Sequence, residues 1–146
     1  MDVERFAAEL PALFDDFPRS PHPKGRRFDD VIARVPNLTE ENVLALLNLA
    51  ASLLAPGESY VEVGTYYGAS LIGAMRDITG DFVAIDVFSF GPIEFRGRKL
   101  PAASHEGLEA SLREFGAEGA TILEGDAFEV LEGGALGERQ IGRAHV

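Results

Sequence analysis

The fold of this 146-residue chain is decided by the stretch Tyr60-Val61-Glu62-Val63-Gly64-Thr65-Tyr66-Tyr67-Gly68-Ala69-Ser70. Its first four residues form a short apolar run with one acidic member, which predicts a buried strand. A glycine turn follows, and small residues then open a helix. This order brings backbone N–H groups and a carboxylate to the carboxyl end of a sheet, where nucleotide-like ligands bind.

After this first strand, helices and strands alternate along the chain. The sequence predicts a helix over 69–78, a strand over 82–85, a helix over 104–115, a strand over 121–123 and a short helix over 127–131. The second strand is apolar without alternation, as in parallel strands that are covered on both faces. Connections of these lengths favour right-handed crossovers, so the pattern predicts an α/β fold with three parallel strands in a doubly wound sheet.

The residues before this region are predicted to be helical. Apolar residues recur at helical spacing between residues 3 and 17, with Asp2 as the N-cap. A second helix is predicted to begin at Thr39, with acidic residues in its first turn. We therefore divide the chain into an N-terminal helical segment, 1–57, and a partial α/β domain, 58–140.

The composition excludes several classes of function. The formal net charge is −11 at pH 7, which makes nucleic acid an unsuitable partner. The chain has no cysteine, so it can form neither disulfides nor thiolate metal sites. No signal peptide is predicted, and no apolar stretch reaches membrane-spanning length. We therefore expect a cytoplasmic protein with a small-molecule partner and no membrane partner.

Acidic residues stand at or near the ends of all three predicted strands. Glu62 lies in an otherwise apolar segment, where a carboxylate is costly to bury unless a ligand or solvent satisfies it. Asp86 ends the second strand about 20 residues after the glycine turn, which is the place of a ribose-binding carboxylate. Its alternative role is a cap on the local backbone. Asp126 follows the third strand, and its alternative role is the N-cap of the next helix.

These residues resemble the first half of the class I S-adenosylmethionine-dependent methyltransferases, especially their small-molecule O-methyltransferase branch. The resemblance covers roughly residues 42–131 and departs from the common pattern at Tyr66, where many members carry glycine. It implies that the cofactor S-adenosylmethionine binds with its ammonium at Glu62, its ribose at Asp86 and its adenine at Asp126. The implied cofactor-binding residues are Glu62, Gly64, Thr65, Tyr66, Gly68, Ser70, Asp86, Asp126 and Ala127. Phe128 is expected in the core, with contact to adenine as the alternative.

The implied chemistry is transfer of a sulfonium methyl group to an oxygen of a small molecule. The sequence assigns no catalytic residue and predicts no metal site in this chain. The resemblance implies a divalent metal only for full-length members of some branches, whose acidic metal ligands follow a fourth strand that is missing here. Two alternatives stay open. One is an NAD(P)-dependent oxidoreductase, which would require Gly-x-Gly-x-x-Gly where position 66 is tyrosine. The other is a non-catalytic α/β module that binds a nucleotide.

We expect the chain to be a C-terminally truncated fragment, because the resemblance implies more strands than the three found here. Residues 141–146 back-translate to a common sequencing-adapter sequence, so we expect them to be a non-native tail. Without later strands, one edge of the first strand should be exposed. The polypeptide is then expected to self-associate, as homo-oligomers or aggregates, and to lack methyl transfer by itself.

Overall fold

A computed structural model describes residues 1–19, 22–137 and 140–141. In chain order the elements are α1 (Val3–Glu9), a 3-10 helix (Leu10–Leu13), α2 (Asp29–Arg34), α3 (Glu41–Ser52), β1 (Glu58–Val63), α4 (Ala69–Met75), β2 (Asp81–Asp86), β3 (Ile93–Phe95), β4 (Arg98–Leu100), α5 (His105–Glu114), β5 (Thr121–Glu124), α6 (Ala127–Glu132) and β6 (Gln140–Ile141). Among the described helices, none combines the length and the apolar character that crossing a bilayer requires.

The main sheet has the order β5-β2-β1-β6, and each neighbouring pair is parallel. Three of these strands, β1, β2 and β5, are the predicted ones, and their parallel arrangement confirms the α/β prediction. The short strand β6 was not indicated by the sequence. It pairs only with Glu58 and Ser59 at the start of β1. Residues 142–146 of the expected tail lie outside the described residues.

Strand β2 is buried on both faces, as its unbroken apolar run predicted. Phe82 and Ala84 belong to a large core that also contains residues from all of the helices α2 to α5. Val83 and Ile85 face the other side, where Leu136 and part of α6 cover the sheet. The result is a sheet with helices on both faces, which is the doubly wound arrangement.

Helices α3 and α4 pack closely on the large-core side. A Cβ atom at Gly73 of α4 would lie 2.9 Å from the Cβ of Leu44, so glycine is needed for this approach. The buried Asn48 of α3 places its Nδ2 at 2.9–3.2 Å from the carbonyls of Gly73, Ala74 and Arg76. Because these carbonyls are capped from the side, α4 ends at Met75, earlier than predicted.

Several boundaries and two elements differ from the sequence prediction. Asp2 caps α1 as predicted, but α3 begins at Glu41 rather than at Thr39. Helix α2 was missed because six residues are too short to show a period. The antiparallel hairpin of β3 and β4 was missed because its turn residues, Arg96 and Gly97, lack the usual Asn-Gly signature. Both adopt positive φ, +50° and +74°, as in a type I′ turn.

Candidate functional site

The carboxyl ends of β1, β2 and β5 meet at one edge of the sheet. Ile85 of β2 pairs with Leu123 of β5. Gly64, which follows β1, donates its N–H to the Ile85 carbonyl at 2.8 Å, and Gly125, which follows β5, donates to the Asp86 carbonyl at 3.0 Å. The three loops that follow these strands therefore leave the sheet side by side.

The glycine turn between β1 and α4 contains three residues with positive φ: Gly64 at +77°, Tyr66 at +55° and Gly68 at +82°. A Cβ atom at Gly64 would meet no other atom within 4 Å, so this part of the turn borders open space that a ligand can fill. A Cβ atom at Gly68 would lie 2.6 Å from Leu108 Cδ1, so this glycine lets α4 pack against α5. The two glycines thus have different structural roles.

Glu62 is a buried carboxyl group, only 8% exposed. The Ser70 hydroxyl donates to its Oε1 at 2.8 Å, and the Tyr60 hydroxyl donates to its Oε2 at 3.0 Å. Burial raises the pKa of Glu62 to about 7, although these two hydrogen bonds oppose the shift; the negative charge of Asp86 adds to it. Within the described part of the chain, no basic side chain forms an ion pair with Glu62. A cationic ligand would therefore stabilise its charged form.

Asp86 accepts hydrogen bonds from two backbone segments, the glycine turn and the residues that follow β2. Its Oδ2 accepts the Tyr66 N–H, and its Oδ1 accepts the Phe88 N–H, each at 2.7 Å. The first of these bonds ties the glycine turn to the end of β2. The backbone cap considered from the sequence is therefore present. A carboxylate offers about four acceptor positions, so two remain for a ligand, and ribose binding stays a prediction.

Asp126 is the N-cap of α6, since its Oδ1 accepts the N–H groups of Phe128 and Glu129 at 2.9 and 3.3 Å. Ala127 is the first residue of this helix. The expectation that Phe128 lies in the core is wrong, because its side chain is 76% exposed. Helix α6 packs on the sheet through Ala127 and Val130 instead, which turns Phe128 outward. Adenine binding by this loop stays a prediction.

A cavity of about 650 Å³ lies beside β1 and the glycine turn. This volume is within the usual range for small-ligand sites. The predicted residues that line it are Glu62, Gly64, Thr65, Tyr66 and Ser70. The other predicted residues, Gly68, Asp86, Asp126 and Ala127, lie outside its lining. The structure thus brings together the part of the set that surrounds Glu62.

The opposite wall of this cavity was missed by the sequence analysis. It comes mainly from the segment 36–43, which leads into α3, and from Arg96 at the turn of the hairpin. Arg96 forms an ion pair with Glu40, so the hairpin is joined to the start of α3. No motif marks this wall, because segments far apart in the chain form it only after folding. The signal in the sequence that could have pointed to this wall is the pair of arginines in the hairpin, Arg96 and Arg98.

The described residues of the site provide no cluster of metal ligands, and we assign no general base among them. Within residues 1–19, 22–137 and 140–141, no group of three or more His, Cys, Asp or Glu side chains is placed to hold a metal ion. His105 at the start of α5 stacks on Phe88 and has its Nδ1 3.1 Å from Glu124 Oε2. This contact links α5 to the end of β5.

Comparison with known proteins identifies the fold. No family model and no curated protein matches the chain. A matching solved structure is the O-methyltransferase from Bacillus cereus in complex with SAH, with a TM-score of 0.52 and 15% identity. The match covers 94% of this chain and 59% of that one, so the chain spans less than two thirds of the neighbour's length. The architecture described above is thus the Rossmann-like methyltransferase fold that the sequence predicted.

Proposed function

We propose that this protein binds S-adenosylmethionine and takes part in methyl transfer to an oxygen of a small molecule. The observation that carries the proposal is the buried Glu62 carboxyl group, which lines a cavity of suitable size and has no ion-pair partner among the described residues. Zwitterionic ligands with an ammonium group satisfy such a carboxylate. The fold of an SAH-bound methyltransferase supports the same ligand class.

The residues around the glycine turn fit the proposed cofactor. Glu62 would accept the α-ammonium, with Ser70 and Tyr60 holding the carboxylate in place. Burial and the adjacent Glu62 charge raise the pKa of Tyr60, so its hydroxyl stays a donor. The open space at Gly64 lets the ligand approach the backbone of the turn.

The neighbouring loops would hold the nucleoside part. Asp86 would accept ribose hydroxyls at the lone pairs that the Tyr66 and Phe88 N–H groups leave free. The exposed ring of Phe128 and the backbone at Ala127 would then be available to adenine, beside the capping Asp126. The fit is consistent with the alignment of β2 and β5 at this edge.

The cofactor supplies a methyl group on a sulfonium centre, which is already activated for displacement. In the proposed reaction the acceptor oxygen would take the methyl group as its C–S bond breaks, the hydroxyl proton would go to water, and S-adenosylhomocysteine would be the leaving group. The chain's own residues bind and orient the reactants in this scheme. No side chain near the cavity is assigned as the group that receives the proton.

The two alternative functions differ from the proposed one in the ligand that is bound or in turnover. An NAD(P)-dependent oxidoreductase would leave the buried Glu62 without a cationic partner, and Tyr66 stands where a second glycine is required. A non-catalytic module would bind the nucleotide without turnover. Transfer of a labelled methyl group from S-adenosylmethionine to any member of a mixture of small hydroxyl compounds would exclude this alternative.

Calorimetric titration of the chain with S-adenosylhomocysteine, NAD and NADP tests the proposal. We expect S-adenosylhomocysteine alone to bind, and Glu62→Gln to weaken its binding by about tenfold or more, because a charge-assisted hydrogen bond is lost. The control is Glu58→Gln at the opposite end of β1, where the carboxylate pairs with the N-terminal amine. Binding of NAD or NADP instead, or equal effects of the two substitutions, would contradict the proposal.

A further inference from the structure

A second cavity, of about 330 Å³, adjoins the first one. The residues that line both cavities are Asn37, Thr39, Glu40, Asn42 and Arg96. The second cavity is completed by the hairpin residues Phe95 and Arg98 and by residues of α2, α3 and the loop before α2. Its size suits a molecule about as large as one substituted ring, near the lower limit for small-ligand sites.

The hairpin is held beside the glycine turn. Leu100, the last residue of β4, is buried, and the chain then passes directly under two tyrosines of the turn. The Tyr66 hydroxyl donates to the Pro101 carbonyl at 2.5 Å, and the Tyr67 hydroxyl donates to the Ala102 carbonyl at 3.2 Å. The second cavity is thus connected to the proposed cofactor site through backbone and two side-chain hydrogen bonds.

The second cavity is lined by two arginines, Arg96 and Arg98, and by two glutamates, Glu40 and Glu41, in a chain that as a whole carries −11. Arg96 is paired with Glu40, whereas the side chain of Arg98 has no hydrogen-bond or ion-pair partner among the described residues. Two arginines of the preceding loop are used elsewhere, since Arg26 pairs with Asp29 and Arg27 pairs with Asp77, whereas His22 of that loop lines the cavity. Among the described residues, the guanidinium groups at this cavity therefore come from the hairpin.

The two glutamates that line the cavity, Glu40 and Glu41, differ in their surroundings. Glu40 is already paired with Arg96. Burial of Glu41 and the nearby carboxylate of Asp29 raise the pKa of Glu41, and its buried Oε1 has no hydrogen-bond partner among the described residues. Ile32 and Phe95 supply apolar lining. A ligand with an apolar body and an anionic group matches this combination.

We propose that the second cavity holds the methyl acceptor, and that the acceptor is a small organic molecule with a carboxylate or phosphate group bound by Arg96 and Arg98. This inference rests on the proposed function. A guanidinium presents paired donors in one plane, which both anions accept. Binding of the anion would compete with Glu40 for Arg96 and recruit Arg98, while the apolar body would extend toward the first cavity.

Ligand-observed NMR titrations with S-adenosylhomocysteine present test this inference. The probes are benzoate and phenyl phosphate, with benzamide and benzylammonium as neutral and cationic counterparts. We compare the wild type with Arg98→Gln and Arg96→Gln. The matched control is Lys99→Gln, which removes the same charge from the same strand but from the opposite face, and Lys99 lines neither cavity. Thermal unfolding verifies that each variant is folded.

We expect at least one anionic probe to bind, with binding about three- to tenfold weaker in Arg98→Gln and in Arg96→Gln and unchanged in Lys99→Gln. Preference between benzoate and phenyl phosphate identifies the anionic group. Equal binding of benzamide, no binding of either anion, or an equal loss in Lys99→Gln would overturn the inference. Binding of S-adenosylhomocysteine without anion binding overturns this inference alone, whereas anion binding without S-adenosylhomocysteine binding overturns the proposed function.

Discussion

Glu62 illustrates, at the residue scale, how a single buried group links stability to binding. Its carboxyl is surrounded by hydroxyl donors rather than by basic side chains, so burial dominates and raises its pKa to about 7. The protein therefore holds a proton here that the unfolded chain releases at lower pH. A bound ammonium would take over the role of that proton.

Glu62→Gln should remove a specific pH dependence of stability. The pKa of Glu62 is about 7 in the folded protein, against an ordinary value of 4.5 in an exposed chain. Its contribution to stability is therefore full below pH 4.5 and is lost as the pH rises through 7. The free energy of unfolding should thus fall by about 3 kcal/mol more in the wild type than in the variant over this range. Denaturant titrations at matched pH values measure the difference, and parallel pH profiles would contradict the prediction.

Asp86→Asn should weaken binding of S-adenosylhomocysteine by about 1–3 kcal/mol, because a carboxylate that accepts backbone and ribose hydrogen bonds becomes a poorer acceptor. The control is Asp81→Asn at the opposite end of β2, where Asp81 accepts the Ser59 hydroxyl at 2.5 Å. Calorimetry on both variants separates ligand binding from a general loss of stability. An unchanged affinity in Asp86→Asn would limit Asp86 to its backbone cap.

At the scale of elements, the glycine turn joins β1 to α4 through a short loop, since β1 ends at Val63 and α4 begins at Ala69. Gly64 and Gly68 both have positive φ, yet only Gly68 is crowded by a neighbouring helix. The turn is therefore fixed on the α5 side and open on the cavity side. This asymmetry lets a ligand contact the backbone without disturbing the packing of α4.

Gly64→Ala should abolish S-adenosylhomocysteine binding at a modest cost in stability. The substitution places a side chain at positive φ, which costs about 1–2 kcal/mol, and fills space that the ligand needs. Gly57→Ala is the matched control, since Gly57 also has positive φ (+87°) and open surroundings but precedes β1. We expect the two substitutions to lower stability equally and only Gly64→Ala to lose binding. Normal binding of S-adenosylhomocysteine in Gly64→Ala would show that the turn is not part of the binding site.

At the scale of the whole molecule, β1 has an incomplete edge. Strand β6 pairs with Glu58 and Ser59, and among the described residues no strand pairs with Tyr60–Val63 on that side. Free N–H and C=O groups along this edge can pair with another chain. We therefore expect the 146-residue polypeptide to self-associate.

Sedimentation velocity on two valine variants tests this expectation. Val63→Lys should reduce self-association because it places a charge on the open edge. Val87→Lys is the control, since Val87 is equally exposed at 56% but follows β2, away from that edge. A wild-type chain that sediments as a monomer, or equal effects of the two substitutions, would contradict the prediction.

The sequence was sufficient for the parts of the molecule that local pattern determines. The strand around Glu62, the apolar run of β2 and the caps Asp2 and Asp126 all follow from composition and spacing. The hairpin, β6 and the wall at residues 36–43 do not, because each depends on contacts between distant segments. Phe128 shows the same limit, since helical position alone did not tell which side of α6 packs on the sheet.

The tyrosine that departs from the common glycine pattern has one more consequence. Tyr66 lines the first cavity and donates its backbone N–H to Asp86. Its hydroxyl donates to the Pro101 carbonyl, which holds the chain that follows the hairpin. Any displacement of this side chain by one ligand changes the free energy of binding the other, and linkage makes that change equal in both directions. The two cavities would then act heterotropically, with each ligand changing the affinity for the other by the same factor. Without the phenolic oxygen, the link through the Pro101 carbonyl would be lost, and only the lining that the two cavities share would couple them.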